Sequence, residues 1–207
     1  MKLFLSLLLC VYVSYRWWLE RNKRLVTEVQ LERMTQIAIR DPLTNLYTRR
    51  FFNDRAEALE KEARRGHYHN VVVIFLDIDR FKEVNDQNGH DAGDNVLREV
   101  AGIVMAIVRR NDILAFRWGG EEMLFLGRGR GEDIAERIRH TVAEKPICGF
   151  NITVSLGVAT FNASEKENNI PATIRRADEA LFQAKRLGRN RVVVSSDPYQ
   201  PAEKTAP

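Results

Sequence analysis

Residues 71–78 are apolar and largely β-branched apart from Asp77, a pattern that predicts a central strand buried on both faces. The run ends in Asp77-Ile78-Asp79. A carboxylate at the end of a buried strand is costly unless something pairs with it, and a divalent cation is one such partner. Asp79 stands before Arg80-Phe81-Lys82-Glu83-Val84 and reads as the N-cap of the next helix. Two shorter apolar, aromatic-rich runs, 113–117 and 123–126, flank Gly119-Gly120-Glu121-Glu122. They predict a hairpin with a glycine turn and an acidic tip. Residues 152–159, interrupted by Gly157, and 191–194 read as further strands. Amphipathic patterns predict helices over 49–65, after Asp79 with Lys82 and Asn85 on one face, and over 95–109, 131–144 and 171–187, with Thr48 or Asn45 capping the first and Asp94 the third. Gly188 marks the end of the last. Helices alternating with a few strands, one pair antiparallel, imply an α/β (α+β) sandwich with helices around a mostly antiparallel sheet.

The chain before residue 41 has a different character. Residues 1–18 are apolar with few exceptions, and Trp17 and Trp18 suit a membrane interface. The run is slightly short for a spanning helix. A cleaved signal peptide is the rival reading, but no small-x-small site comes after the run. Positive charge lies mainly on its C-terminal side, at Arg16, Arg21, Lys23 and Arg24, which orients that side toward the cytoplasm. The expectation is therefore an inner-membrane anchor with a cytoplasmic domain. Residues 19–40 lack Pro and Gly and read as one helix. Leu19, Val26, Val29, Met34 and Ile37 approximate a heptad seam, the alternative being an amphipathic helix lying on its own domain. Asp41-Pro42 ends it, a domain occupies 41–195, and the polar tail 196–207 reads as disordered.

Composition narrows the function. The chain of 207 residues carries a formal net charge of +4. Its basic clusters are not interleaved with aromatics, so a nucleotide or an anionic membrane fits better than a long nucleic acid. Cys10 and Cys148 stand alone and build neither a disulfide framework nor a zinc site.

The motifs together resemble, in order and spacing, the GGDEF family of diguanylate cyclases. They are residues 41–50, which open Asp41-Pro42-Leu43-Thr44; 75–86, around Asp77-Ile78-Asp79-Arg80-Phe81-Lys82; Gly89-His90-Asp91-Ala92-Gly93-Asp94; Gly119-Gly120-Glu121-Glu122-Met123; and 177–191, with Lys185 and Arg189. The resemblance covers residues 41–194 and implies a palm-like nucleotide-cyclase fold. It implies an enzyme that condenses two GTP into cyclic di-GMP, releasing two pyrophosphates, in a homodimer. Two Mg²⁺ ions per site, or Mn²⁺ in their place, would be held by Asp77, the Ile78 carbonyl, Glu121 and Glu122. Asp77, Glu121 and Glu122 would be the catalytic residues, with Glu121 removing the 3′-hydroxyl proton. Gly119 and Gly120 would lie against the phosphates. Lys82, His90, Lys185 and Arg189 would bind substrate, the last two from one helical face. Asn85 and Asp94 would read guanine.

The chain departs from the family pattern in four places. Thr48 stands where Asn is usual. Met123 stands where Phe is usual and is expected to face the core. Asn45 replaces Gly, and Asn tolerates the left-handed region. Arg109 and Asp112 match an inhibitory product site, but one residue too far from Gly119. The usual spacing would pair Arg110 with Ile113, which cannot serve. The extra residue changes strand parity unless a bulge absorbs it. A silent GTP or cyclic di-GMP receptor, and cyclisation of a single nucleotide, are the competing functions.

Overall fold

The computed structural model describes residues 12, 14–23, 39–66, 70–109, 111–162 and 169–195. The chain divides into two units, Met1–Ile39 and Arg40–Pro207. In the first, residues 14–23 are helical, with Tyr15, Trp17 and Trp18 exposed. No helix among the described residues is long and apolar enough to cross a membrane. The anchor over 1–18 and the heptad seam over 19–40 fall mostly outside the described residues, as does the tail.

The second unit runs β1 (Tyr47–Thr48), α1 (Arg49–Arg64), β2 (Asn70–Ile78), α2 (Phe81–Asn88), α3 (His90–Val108), β3 (Ile113–Gly119), β4 (Glu122–Arg128), α4 (Gly131–Ala143), β5 (Val154–Asn162), α5 (Ile170–Arg186) and β6 (Val192–Val194). The strands form one six-stranded sheet in the order β1-β3-β4-β2-β5-β6. The three central pairings are antiparallel and the two edge pairings, β1 with β3 and β5 with β6, are parallel.

Successive side chains of β2 point to opposite faces. Val72, Ile74, Leu76 and Ile78 pack with Val96, Val100, Ile134 and Ile138 of α3 and α4. Val71, Val73 and Phe75 pack with Phe52 of α1 and Ala177 and Leu181 of α5. Both faces are covered, which is why β2 reads as a continuous apolar run. Asp77 continues the row of Val71, Val73 and Phe75, so it meets α5. Gly157 of β5 marks a close approach: a Cβ there would lie 2.0 Å from the Ala177 carbonyl and 2.3 Å from the Leu181 nitrogen.

The element order matches the sequence reading except for β1, which the sequence pattern merges into a helix start. Thr48 caps α1, its hydroxyl accepting from the Phe51 nitrogen. Three boundaries are corrected. The third helix begins at His90, just after Gly89, so Asp94 lies inside it and caps nothing. The expected strand over 152–159 is Val154–Asn162. Asp79 is not an N-cap: Arg80 holds that position in a left-handed conformation with no side-chain cap bond.

Candidate active site

The hairpin turn is Gly120-Glu121 rather than Gly119-Gly120. Gly119 still pairs with Glu122, and Gly120 takes a φ of +44°. Glycine reaches that conformation without a Cβ clash. Glu121 therefore sits at the tip, while Glu122 opens β4. There it stands directly opposite Asp77 in the antiparallel register. A bulge between Arg117 and Gly119 accommodates one extra residue, Trp118. Its ring packs edge-on against Phe52 and Phe75, at centroid distances of 5.2 and 5.9 Å. The Arg49 guanidinium covers it at 4.3 Å.

Asp77 is 8% exposed. Its carboxylate accepts from Lys185 Nζ at 2.8 Å. Burial pushes the Asp77 carboxyl above its ordinary range although Lys185 pulls the other way, and the charges of Glu121 and Asp79 add to the rise. Glu122 is raised as well, first by burial and then by the negative charge of Asp77. Two neighbouring acids that resist ionisation, first because they are buried and then because other carboxylates lie near, form a site short of positive charge. Among the described residues no three His, Cys, Asp or Glu side chains converge into a ready metal cage. Magnesium does not require one: it takes one or two carboxylates and completes its octahedron with waters and phosphate oxygens. Asp77 and Glu122, with Glu121 and the Ile78 carbonyl adjacent in the chain, fit that demand.

The remaining residues approach from α2, α3 and the end of α5. Buried Phe81 and Val84 anchor α2, leaving Lys82 exposed and Asn85 half-buried. A Cβ at Gly93 of α3 would lie 1.9 Å from Asn85 Oδ1. This close approach sets Asn85 against Gly93, the residue before Asp94. His90 is exposed at the start of α3. The common helical face expected for Lys185 and Arg189 is corrected: α5 ends at Arg186, and Arg189 lies beyond it with a φ of +64°.

Sequence reasoning missed several supports. Arg117 NH1 donates to both Asp41 oxygens at 3.0 and 3.1 Å. The same guanidinium donates to the Gly120 carbonyl at 3.1 and 3.2 Å. Asp41, which the sequence marks only as a helix breaker, thus holds the arginine that holds the turn. Asp178 of α5 adds negative charge toward Glu122. No pattern in the sequence links positions 41 and 117; their meeting depends on where β3 runs.

Arg109 and Asp112 both line a cleft of about 630 Å³, with Arg40, Tyr47, Gly102 and Leu114 among its walls. Asp112 has a φ of +51° and pairs with Arg128. Met123 is 0% exposed, in the core as expected, and Asn45 has the left-handed φ of +56°.

The family model for the diguanylate cyclase GGDEF domain matches residues 38–191. The chain belongs to the GGDEF family. It is 37% identical over 196 residues to the response regulator PleD of Caulobacter vibrioides, covering 84% of this chain and 42% of PleD. It is 38% identical over 175 residues to the diguanylate cyclase DgcP of Pseudomonas aeruginosa, covering 80% of this chain and 25% of DgcP. The chain therefore spans less than half the length of these relatives. Among solved structures, the coiled coil and GGDEF domain of DgcB from Caulobacter crescentus, in complex with c-di-GMP, superposes with a TM-score of 0.80. The identity is 31%, over 88% of this chain and 98% of that one. The six-stranded sheet and its flanking helices are thus a GGDEF fold.

Proposed function

We propose that this GGDEF domain condenses two GTP molecules into cyclic di-GMP, with two copies of the chain each presenting one GTP. The observation that carries the reading is the cross-strand pair of Asp77 and Glu122 beside the Gly120-Glu121 turn. Asp77, the Ile78 carbonyl, Glu121 and Glu122 would hold two Mg²⁺ ions. Magnesium bound there would polarise the α-phosphate and lower the pKa of the attacking 3′-hydroxyl.

The chain's own residues do the rest. Gly119 and Gly120 leave the backbone bare for the phosphates. Lys82, Lys185 and Arg189 offset triphosphate charge, with His90 at the mouth of α3. Asp94 accepts from the guanine N1–H and N2–H₂, a donor pair that adenine lacks, and Asn85 bonds to the same base. Glu121 takes the 3′-hydroxyl proton of the other copy's GTP. The 3′-oxygen bonds to the α-phosphorus, the bond from that phosphorus to the bridging oxygen breaks, and pyrophosphate leaves. The same exchange in the opposite sense closes the ring.

Pairing of residues 19–40, whose sequence pattern predicts a helix, between two copies would bring two such sites together. The solved relative that carries a coiled coil with its GGDEF domain supports this arrangement. Anchoring through 1–18 places the catalytic domain on the cytoplasmic side of the inner membrane, on the strength of the apolar run, Trp17, Trp18 and the positive charges beyond them. A second, inhibitory product site is assigned to the cleft lined by Arg109 and Asp112.

Mass spectrometry of the nucleotides after incubation with GTP and Mg²⁺ tests the reaction. Cyclic di-GMP and pyrophosphate are the expected products, lost in Asp77→Ala. Intact GTP with a demonstrably dimeric protein overturns the proposal. Tight nucleotide binding without turnover would make the chain a receptor instead.

A further inference from the structure

Helical spacing does not place Arg189, so another feature must. Arg189 and Asn190 have φ values of +64° and +44°, two successive non-glycine residues in the left-handed region. Each costs free energy, and such conformations persist only where surrounding contacts over-determine them. The Arg189 nitrogen donates to the Ala184 carbonyl at 3.0 Å, and the Leu156 nitrogen of β5 donates to the Arg191 carbonyl at 2.9 Å. Arg139 NH1 of α4 donates to Asn190 Oδ1 at 3.1 Å. The fourth contact reaches a buried carboxylate: the Asn190 nitrogen donates to Asp79 Oδ2 at 3.0 Å.

Asp79 is 6% exposed. Its Oδ2 also accepts from Thr153 Oγ1 at 2.7 Å, and its Oδ1 from Ser155 Oγ at 2.6 Å. Its own nitrogen donates to the Thr153 carbonyl at 2.9 Å. Desolvating a carboxylate is expensive, and three donors from two distant segments offset that cost. Two of them fix the carboxylate against the approach to β5. The third is directed at the turn after α5.

We propose that Asp79 is a positioning residue: it holds the turn at Arg189-Asn190 and so sets Arg189 where the substrate phosphates arrive. The inference rests on the site being a GTP site. It gives the two acids at the end of β2 complementary tasks on one segment. Asp77 grips the last turn of α5 through the Lys185 side chain at 2.8 Å. Asp79 grips the following turn through a backbone N–H. The separation of the two substrate cations is then fixed by the strand that also carries the carboxylate at the reaction centre. Asp79 itself touches no substrate.

Calorimetric titration of the full chain with 3′-deoxy-GTP and Mg²⁺ tests this, since that analogue lacks the attacking hydroxyl and cannot condense. Arg189→Ala and Asp79→Asn should each weaken binding about tenfold, the factor carried by one charge-assisted hydrogen bond. The double variant should bind no more weakly than the poorer single, because the second change removes what the first has already disabled. An ester in place of the Asn190 peptide N–H, introduced by semisynthesis with the α-hydroxy acid analogue of asparagine, deletes the one N–H that reaches Asp79, keeps the left-handed backbone accessible and leaves the Ser155 and Thr153 bonds intact. It should reproduce the Arg189→Ala loss with a melting temperature close to the parent's, which a purely structural role for Asp79 would not produce. Losses that multiply in the double variant overturn the inference. So does unchanged binding in Asp79→Asn or, should that protein not fold, in the Asn190 ester variant. A parent chain that binds no 3′-deoxy-GTP would instead refute the GTP reading and take this inference with it.

Discussion

Lys185 Nζ stands 2.8 Å from Asp77 Oδ2, so an ammonium from α5 neutralises the carboxylate that the motif marks as the first metal ligand. The pair lies where the charges of Glu121 and Glu122 also accumulate. One cation thus serves as counter-ion to the acids and, under the proposed function, as partner for the triphosphate. Replacing it should pull these two functions apart. Lys185→Met removes a competitor for Asp77, so Mg²⁺ should bind the nucleotide-free protein more tightly. The same change deprives the phosphates of a partner, so KM for GTP should rise by about tenfold or more. Metal titration by calorimetry and steady-state kinetics read the two effects separately. Parallel weakening of both would contradict this account of Lys185.

The raised carboxyls of Asp77 and Glu122 give a second prediction, with a definite sign. A carboxyl whose native pKa lies above its unfolded value binds protons more readily when folded. It therefore destabilises the metal-free domain at neutral pH, and the penalty is relieved as pH falls through the native pKa. Mg²⁺ relieves the same penalty at neutral pH but must displace protons at acid pH. Added Mg²⁺ should therefore raise the melting temperature more at pH 7.5 than at pH 5. In activity, the acid limb should move to lower pH as Mg²⁺ is increased. Melting curves at the two pH values with and without Mg²⁺ are the measurement, and an equal shift at both would be the adverse result.

Much of this architecture is legible in the chain because it is local. The continuous apolar run of β2 reports burial on both faces, and the apolar runs around Gly119-Gly120 report the hairpin. Gly188 with a φ of +113° ends α5 where the sequence suggests. The features that escaped depend on distant partners. The strand at Tyr47–Thr48 exists because Phe116 and Arg117 lie beside it, with an isolated bridge from Arg40 to Tyr47 as well. Asp79 reads as a helix cap because nothing near it in sequence shows Thr153, Ser155 and Asn190 closing around its carboxylate. Arg189 fits a helical spacing that the left-handed turn abandons. Asp94 fits a cap because Gly89, not an acid, is the residue that begins α3.

Gly93 is a residue whose role shows only in three dimensions. A Cβ there would meet Asn85 Oδ1 at 1.9 Å and Phe81 Cζ at 3.1 Å. The first contact is the end of a side chain, which can swing away. Alanine also favours a helix by about 1 kcal/mol over glycine, offsetting part of the clash. Gly93→Ala should therefore fold with nearly unchanged stability while displacing Asn85 from the base. The expected signature is a narrower preference for GTP over ITP, which lacks the guanine N2 amino group, with KM for GTP raised by about tenfold. Competition assays with the two nucleotides read this directly. A GTP-to-ITP ratio equal to the parent's would count against Asn85 as a base-reading residue.

The contact of Asp41 with Arg117 joins the start of the second unit to the turn that carries Glu121. Burial raises the Asp41 carboxyl, but bonds from the Thr44 hydroxyl and nitrogen and from the Arg117 guanidinium together hold it below the ordinary range. A carboxylate with a lowered native pKa contributes stability that is complete above its unfolded pKa of about 3.9. That stability is lost as pH falls through the lower native value. Asp41→Asn keeps the shape of the side chain and loses its charge. At pH 7 it should destabilise the domain by about 1–2 kcal/mol, the scale of a charge-assisted bond at a half-exposed site. Urea titrations at pH 7, 5 and 3.5 should show the gap between parent and variant shrinking only toward the acid end. Turnover should fall as well, without a matching rise in KM for GTP, because Arg117 also donates to the Gly120 carbonyl. The substrate contacts would remain while the glutamate at the tip of the turn loses its fixed position. A stability gap independent of pH, or turnover equal to the parent's, would show that Asp41 does not act through Arg117.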